Sequence, residues 1–462
     1  MDGIKYRKAE DMKNSGIEWI GRMPTDWQTI MIKRLSRIGR GASPRPIEDP
    51  KYFDDENGEY VWTRISDVTA SEKYLKETEQ KMSNLGANLS IKLEPNKLFL
   101  SIAGSVGKPC ITGIKACIHD GFVYFPDLKG ELTDYLYSVF NGQQCYKGLG
   151  KLGTQLNLNR ETVGRIYIPI SSDILDQQKI ANFLDIKTAQ FDSIISKKEL
   201  LVKKLEQAKK SLISEVVTGR VKIMDGEMVR RKPEEMKDSH VKWLGVIPKD
   251  WQTIKLKRTC SLIKDGTHNP PPRVDDGYPL LSVRNIKNNM LTFLDDDSFI
   301  SKEAFNIINR SFKVKENDVL LAIVGATIGK VAIANLKEQY TIQRSLAILR
   351  TREDMCNHRF LFYFVMSDYF QRLLWSNIGF SAQPGIYLGS LSNFTTILPG
   401  FTEQSILIDF LDNKVTKINS IIMKTESQIQ YIRQAKQSLI SEAVTGKIDL
   451  RDWEIIEEGE LH

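Results

Sequence analysis

Pro24-Thr25-Asp26-Trp27-Gln28-Thr29-Ile30 returns 224 residues later as Pro248-Lys249-Asp250-Trp251-Gln252-Thr253-Ile254. At the same offset, Glu10-Asp11-Met12-Lys13-Asn14-Ser15 returns as Glu234-Glu235-Met236-Lys237-Asp238-Ser239. Farther along, at an offset of 227, Phe183-Leu184-Asp185 matches Phe410-Leu411-Asp412, and Gln207-Ala208-Lys209 through Ser214-Glu215 matches Gln434-Ala435-Lys436 through Ser441-Glu442. Between these matched ends the two halves diverge. A period this long is a duplicated module, not a solenoid, and it predicts a pseudo-twofold body. Matched flanks around unmatched centres predict one scaffold carrying two different recognition surfaces.

The later matched segments read as long helices. Ser171-Ser172-Asp173 supplies residues suited to an N-cap, the chain then runs to Val217 without Pro or Gly, and Thr218-Gly219 supplies the stop. A seam of period seven, Leu184, Phe191, Lys198, Leu205 and Leu212, interleaves with Ile180, Lys187, Ile194, Leu201 and Ala208 at spacings of four and three. The second copy gives Leu411, Ile418, Thr425, Ile432 and Leu439 with Leu407, Lys414, Ile421, Gln428 and Ala435. Two such helices, each about 60 Å long at 1.5 Å per residue, are expected to pack on each other as an antiparallel coiled coil.

The divergent centres read as mixed α/β domains. Strand-like runs lie at 60–65, 97–103, 278–283 and 318–324, helices at 132–140 and 358–374, and closing strands at 166–169 and 396–399. The expected fold class is therefore α+β: two mixed α/β domains joined by two long antiparallel coiled-coil helices. The organisation expected is a lead-in at 1–24, a first domain at 25–170, a helix at 171–219, a second lead-in at 220–247, a second domain at 248–400, a second helix at 401–446 and an acidic tail at 447–462.

Composition narrows the chemistry. Of 462 residues, 41% are hydrophobic and 27% charged, which is globular composition. The five cysteines form no CxxC pair. With no apolar run long enough to span a bilayer and no apolar signal core at the start, a reducing cytoplasm is expected. Net charge is +7. Residues 1–231 hold 36 basic and 30 acidic side chains, 232–446 hold 27 and 22, and 447–462 hold 2 and 6. Two basic bodies with an acidic tail suit a polyanion partner.

Catalytic motifs fail one by one. The turns Gly104-Ser105-Val106-Gly107-Lys108 and Gly325-Ala326-Thr327-Ile328-Gly329-Lys330 are too short for a P-loop, and Pro109 and Val331 stand where Ser or Thr would hold magnesium. Asn269-Pro270-Pro271-Pro272 lacks the aromatic of a methyltransferase NPPY turn. Pro126-Asp127 has no ExK within the 10–25 residues downstream. His119-Asp120 has no nucleophile elbow, and no metal-ligand spacing occurs. No catalytic residue and no metal site are expected.

The paired Pro-x-Asp-Trp-Gln-Thr-Ile lead-ins are followed by the loops Gly39-Arg40-Gly41-Ala42-Ser43-Pro44 and Lys264-Asp265-Gly266-Thr267-His268-Asn269-Pro270. Then come strand-to-Arg segments at Arg64 and Arg284, the Gly-Lys turns, the Glu403-Gln404 type helix starts, and the Ser-Leu-Ile-Ser-Glu-x-Val-Thr-Gly helix ends at 211–219 and 438–446. In this order, twice over, the chain resembles the specificity subunit of a Type I restriction–modification system. One departure is Asp176-Gln177-Gln178 against Glu403-Gln404-Ser405.

The resemblance implies two target-recognition domains reading the halves of a split double-stranded DNA site. It also implies helices that set the spacing and dock two modification (methyltransferase) subunits, with two restriction (translocase-endonuclease) subunits in the same complex. S-adenosylmethionine, ATP and magnesium then belong to those partners, none to this chain. Base-reading candidates are Arg40, Ser43, Arg45, Arg64 and Asn157 in the first domain and Thr267, His268, Asn269, Arg284 and Arg344 in the second. Lys108, Lys151 and Lys330 are phosphate candidates. A non-enzymatic scaffold with two ligand-binding α/β domains on a coiled-coil hinge also accounts for the repeat, but it needs no basic loops in both domains.

Overall fold

The computed structural model describes residues 4–149, 156–241, 243–379 and 384–454. The chain divides into two compact units, one built from residues 1–198 and 427–462, the other from 199–426. Each holds one α/β domain and half of each long helix. The helices are α1 (Ile174–Val217) and α2 (Phe401–Val444).

In the first unit the lead-in strand β1 (Gln28–Met31) is followed by β2 (Gly39–Arg40), β3 (Tyr60–Thr63), β4 (Leu98–Ser101), β5 (Pro109–Thr112), β6 (Ala116–Ile118), β7 (Phe122–Tyr124) and β8 (Tyr167–Ile170). One sheet has the order β2-β7-β4-β5 with residues 74–75 at its far edge, and a second pairs β3 with β6 in parallel. β1 pairs antiparallel with β8, the strand that feeds α1, so the lead-in is tied to the helix start. The core joins Trp27, Leu100, Val123, Phe140 and Ile168 to Ile180 and Leu184 of α1 and Leu439 and Val444 of α2.

The second unit repeats the plan with β9 (Gln252–Lys255), β10 (Cys260–Asp265), β11 (Tyr278–Leu281), β12 (Val319–Ala322), β13 (Val331–Ile333), β14 (Thr341–Ile342), β15 (Leu346–Thr351) and β16 (Thr395–Leu398). Its main sheet runs β10-β15-β12-β13; β11 pairs with β14 in parallel, and β9 with β16 antiparallel. Trp251, Leu321, Leu349 and Phe364 pack with Ile213 and Val217 of α1 and Leu407 and Leu411 of α2. Truncating either repeated tryptophan to alanine should cost about 3–5 kcal/mol, as for other buried aromatics.

The helix ends form as the sequence predicts. Asp173 Oδ1 accepts the Leu175 N–H at 2.9 Å, capping α1. Gly219 and Gly446 sit at φ +71° and +69°, and a Cβ there would stand 2.5 Å from Pro248 and 2.6 Å from Pro24 respectively. Each helix stop is thus a glycine on which a Pro-x-Asp-Trp lead-in rests. The first lead-in rests on the end of α2 and the second on the end of α1. Likewise Tyr6 bridges to Ile448 and Arg7 N–H reaches Lys447 O at 2.9 Å. Those residues do for α2 what the hairpin Val221–Met224 with Glu227–Arg230 does for α1.

The seam is half as expected. The row Leu184, Phe191, Lys198, Leu205, Leu212 faces inward, and so does Leu411, Ile418, Thr425, Ile432, Leu439. The companion row is displaced by one residue: Thr188, Ile195, Val202 and Lys209 on α1, Val415, Ile422, Ile429 and Lys436 on α2. Ile194, Leu201 and Ile421, read as seam residues, are instead 45%, 44% and 47% exposed. Ile180 and Leu407 are buried in the unit cores at the helix starts. The ambiguity is physical: Ile194/Ile195, Leu201/Val202 and Ile421/Ile422 are apolar neighbours, and one residue is about 100° of rotation. On α2 the observed choice buries Val415 in place of Lys414.

The remaining polar seam positions have partners. In the first unit Lys198 Nζ donates to Gln428 at 2.8 Å and Lys436 Nζ to Asp192 at 2.6 Å. In the second, Lys209 Nζ donates to Asn419 at 2.9 Å. In the first unit, moving back along α1 from Lys198 to Asp192 moves forward along α2 from Gln428 to Lys436, so the packing there is antiparallel.

The two helix starts differ as their sequences do. In the second unit Glu403 accepts both the Trp251 indole N–H, at 2.8 Å, and the Arg231 guanidinium. In the first unit Asp176, one methylene shorter, accepts Ser171 Oγ at 2.7 Å. Among the described residues, the Trp27 indole nitrogen and Gln177 Oε1 are buried without a partner.

Candidate nucleic-acid interface

The candidate residues of the first unit gather where β2 meets the turn between β6 and β7. Arg40 pairs across to Val123. The chain then leaves the sheet with Gly41 N–H on Phe122 O at 2.9 Å and Ala42 N–H on Ile118 O at 3.1 Å. A Cβ on Gly41 would lie 2.0 Å from His119 O, so only glycine lets the two loops approach.

At the centre stands Asp120. Its carbonyl accepts Arg40 Nε at 2.7 Å, and its carboxylate accepts Ser43 Oγ at 3.2 Å and Arg45 at 3.4 Å. Burial holds the neighbouring His119 imidazole below its ordinary pKa, against a smaller opposing pull from Asp120. The neutral ring accepts the Gly121 N–H on Nδ1 at 2.8 Å. A hollow of about 680 Å³ opens beside Asp120, lined by Ser43, Phe53, Trp62, Arg64 and Gln80 among others. Arg64 is held at its rim by Glu79, at 3.1 Å, and by Gln80. Asn157 lines an adjoining hollow with Arg40 and Asp120.

Five expected residues, Arg40, Ser43, Arg45, Arg64 and Asn157, therefore share one neighbourhood. Lys108 does not join them. Its ammonium donates to Thr69 O at 2.7 Å and Ser71 O at 2.9 Å, closing the end of the short helix Ile65–Ala70, and burial lowers its pKa. Lys151 lies outside the described residues.

The second unit builds the same backbone frame. Asp265 pairs across to Ala347, Gly266 N–H reaches Leu346 O and Thr267 N–H reaches Ile342 O, both at 3.0 Å. A Cβ on Gly266 would lie 2.2 Å from Ile342 O. Superposing these registers on the first unit matches Asp265 to Arg40, Thr267 to Ala42, His268 to Ser43, Gln343 to His119 and Arg344 to Asp120. His268 Nε2 lies 2.5 Å from Asp265, Thr267 Oγ1 donates to Asn269 O at 3.2 Å, and Arg344 N–H donates to Thr267 O at 3.1 Å. Among the described residues, no hydrogen bond or ion pair is recorded for the exposed Arg344 side chain. Lys330 is exposed on its glycine turn, unlike its counterpart Lys108.

Arg64 and Arg284 are not counterparts. The parallel pairings put Thr63 opposite Ile118 and Leu281 opposite Ile342. Arg64 therefore matches Ser282, and Arg284 lies two positions farther on. Arg284 is tied to Asp296 and to the buried Asp297, each at 2.9 Å, which raises its pKa.

Sequence reasoning passed over Asp120, Asp265 and Gln343. The signal was available: the offset of 224 that aligns the lead-ins also aligns His119-Asp120 with Gln343-Arg344. All five cysteines are buried and unpaired. Among the described residues no cluster of His, Cys, Asp or Glu is placed to hold a metal, and no helix is long and apolar enough to cross a membrane.

Comparison with known proteins agrees in both halves. The profile described as "Type I restriction modification DNA specificity domain" matches residues 24–204 and again 248–431. The Type I restriction enzyme MjaVIII specificity subunit of Methanocaldococcus jannaschii is 23% identical over 460 residues, covering 97% of this chain and 98% of that one. The EcoBI specificity subunit of Escherichia coli is 26% identical over 298 residues, 64% of this chain and 61% of that one. A chain solved in a study of assembly and conformational transition of the type I R-M system shares the fold, with a TM-score of 0.65 at 14% identity. The match covers 92% of this chain and 99% of that one.

Proposed function

Since the chain belongs to the Type I restriction–modification DNA specificity family, we propose that its two recognition domains read the two halves of one asymmetric DNA site, each through the loop cluster of its own unit. The chain is the non-catalytic DNA specificity subunit of such a system, with two target-recognition domains. The observation that carries the finer reading is the common loop frame, present in both units and furnished with different side chains. One scaffold would dock both domains in the same way, and different side chains would read different bases.

In this reading Arg40, Ser43, Arg45, Arg64 and Asn157 face one half-site, and Thr267, His268, Asn269 and Arg344 the other. Lys330 and Lys151 contact phosphates. Arg284, restrained by two carboxylates, and Lys108, restrained by two carbonyls, support their loops. Exposed Ile194 and Leu201 on α1 and Ile421 on α2 supply apolar surface for modification subunits. Restriction subunits join the same complex, and S-adenosylmethionine, ATP and magnesium are bound by those partners. A ligand-binding scaffold is less well supported, because the DNA specificity profile covers both halves.

The test is binding and methyl transfer with purified components. The chain alone should neither methylate nor cut DNA. With the modification subunit of its system it should bind one duplex sequence far above random duplex, with affinity falling steeply as salt rises. Methyl transfer by the clean chain alone, or equal binding to all duplexes, would defeat the reading.

A further inference from the structure

The two loop frames share their strand register and their loop-to-turn hydrogen bonds, yet their charges are reversed. Where the first unit has Arg40 at the end of its edge strand and Asp120 in the facing turn, the second has Asp265 and Arg344. The edge-strand residues match because each pairs across to the residue one beyond the turn's exit, Val123 or Ala347. The turn residues match because each lies two beyond the carbonyl, Ile118 or Ile342, that accepts the loop N–H.

The reversed residues are accessible. Asp120 keeps 42% of its side chain exposed, and its contacts to Ser43 and Arg45 are long. The Arg344 side chain is exposed with no recorded partner among the described residues. Drift of a purely structural ion pair could exchange its members. It would then preserve the contact between them, and in the second unit Asp265 instead pairs with His268.

We propose that the turn position, Asp120 in the first unit and Arg344 in the second, is a specificity-determining position that reads one base pair in opposite senses in the two half-sites. The proposal rests on the reading that each unit recognises its own half-site. A carboxylate accepts from the cytosine N4 amino group, and a guanidinium donates to guanine O6 and N7. With one docking frame, the base faced by Asp120 is a cytosine and the equivalent base faced by Arg344 is a guanine. Arg45 and Ser43 orient the Asp120 carboxylate, and the exposed Arg45 turns toward a neighbouring phosphate when DNA replaces it.

The experiment uses the complex with its modification subunit. The wild-type motif is first obtained from the methylome of expressing cells. Binding is then measured on duplexes carrying every single base-pair change in that motif. Asp120→Asn should change preference at one base pair of one half-site, from C·G toward A·T, because an amide suits adenine. Arg344→Gln should weaken the preference for guanine at one base pair of the other half-site. Each change should amount to roughly 5- to 150-fold in relative binding, the range for one base-edge contact. Arg344 has no recorded partner to lose, so its variant should fold normally and keeps the test decisive even where Asp120→Asn destabilises its loop.

Unchanged preference at every base pair in Arg344→Gln, or a loss spread equally over all duplexes in both variants, would overturn the proposal while the wild-type motif left the two-domain reading standing. A wild-type complex with no bipartite motif would overturn both.

Discussion

Replacing Asp176 with glutamate should stabilise the first unit. The second unit shows what the longer side chain does: Glu403 reaches the Trp251 indole N–H at 2.8 Å and still engages Arg231. In the first unit the Trp27 indole nitrogen is buried without a partner among the described residues, and Asp176 instead accepts Ser171 Oγ. A hydrogen bond to a charged acceptor contributes about 1.5–3 kcal/mol, and losing the Ser171 bond costs about 0.5–1.5 kcal/mol. The net gain expected is about 1–2 kcal/mol. At about 2–4 °C per kcal/mol for a body of this size, the melting transition of the first unit should rise by roughly 2–8 °C. The mirror variant Glu403→Asp should destabilise the second unit by about 3 kcal/mol, because it strands both the indole and an Arg231 side chain only 9% exposed. Since two units need not unfold together, calorimetry should be paired with exchange of the Trp27 and Trp251 indole protons in ¹⁵N-tryptophan spectra. An unchanged transition, with Trp27 exchanging as fast in Asp176→Glu as in the parent, would refute the argument from side-chain length.

Further expectations follow from the same geometry. Lys330→Ala should weaken specific and random duplex binding alike and reduce the salt slope by about one. Lys108→Ala should instead leave the slope unchanged and loosen the helix Ile65–Ala70, read as faster amide exchange there. Asp449 is held at a pKa of about 2, chiefly by its hydrogen bonds from Arg451. A carboxyl depressed in the folded state stabilises above its unfolded pKa near 4 and loses that contribution as pH falls toward 2. The pairing of residues 5–7 with 447–449 should therefore open over that window, seen by amide exchange, and an Asp449→Asn variant should lack the transition. Inserting four residues near Lys198 nearly preserves the heptad phase and adds about 6 Å of helix. It should lengthen the gap between half-sites by one or two base pairs and leave the half-sites unchanged, whereas two inserted residues should abolish assembly; methylomes of the two variants report both.

Much of this architecture is legible in the sequence because it depends on local rules. The caps at Asp173 and the stops at Gly219 and Gly446 follow from backbone chemistry, and the repeat declares itself in Trp27 and Trp251. What escaped depends on choices that neighbouring residues leave open. With Ile194 beside Ile195 and Leu201 beside Val202, composition alone cannot select the inward face; the structure buries Ile195, Val415 and Ile422 and leaves Ile194, Leu201 and Ile421 exposed. Arg64 and Arg284 look equivalent along the chain, and strand register separates them by two positions. Asp120 figures in the sequence only as the partner of His119 in a dyad without a nucleophile, until the second unit places Arg344 on the same backbone.

The most direct test of the central claim is the methylome of cells expressing this chain with the modification subunit of its system, read at single-base resolution. The account predicts one bipartite motif: two different short half-sites separated by a gap of fixed length and unspecified sequence. A single contiguous motif, two identical half-sites, or a gap of variable length would contradict it.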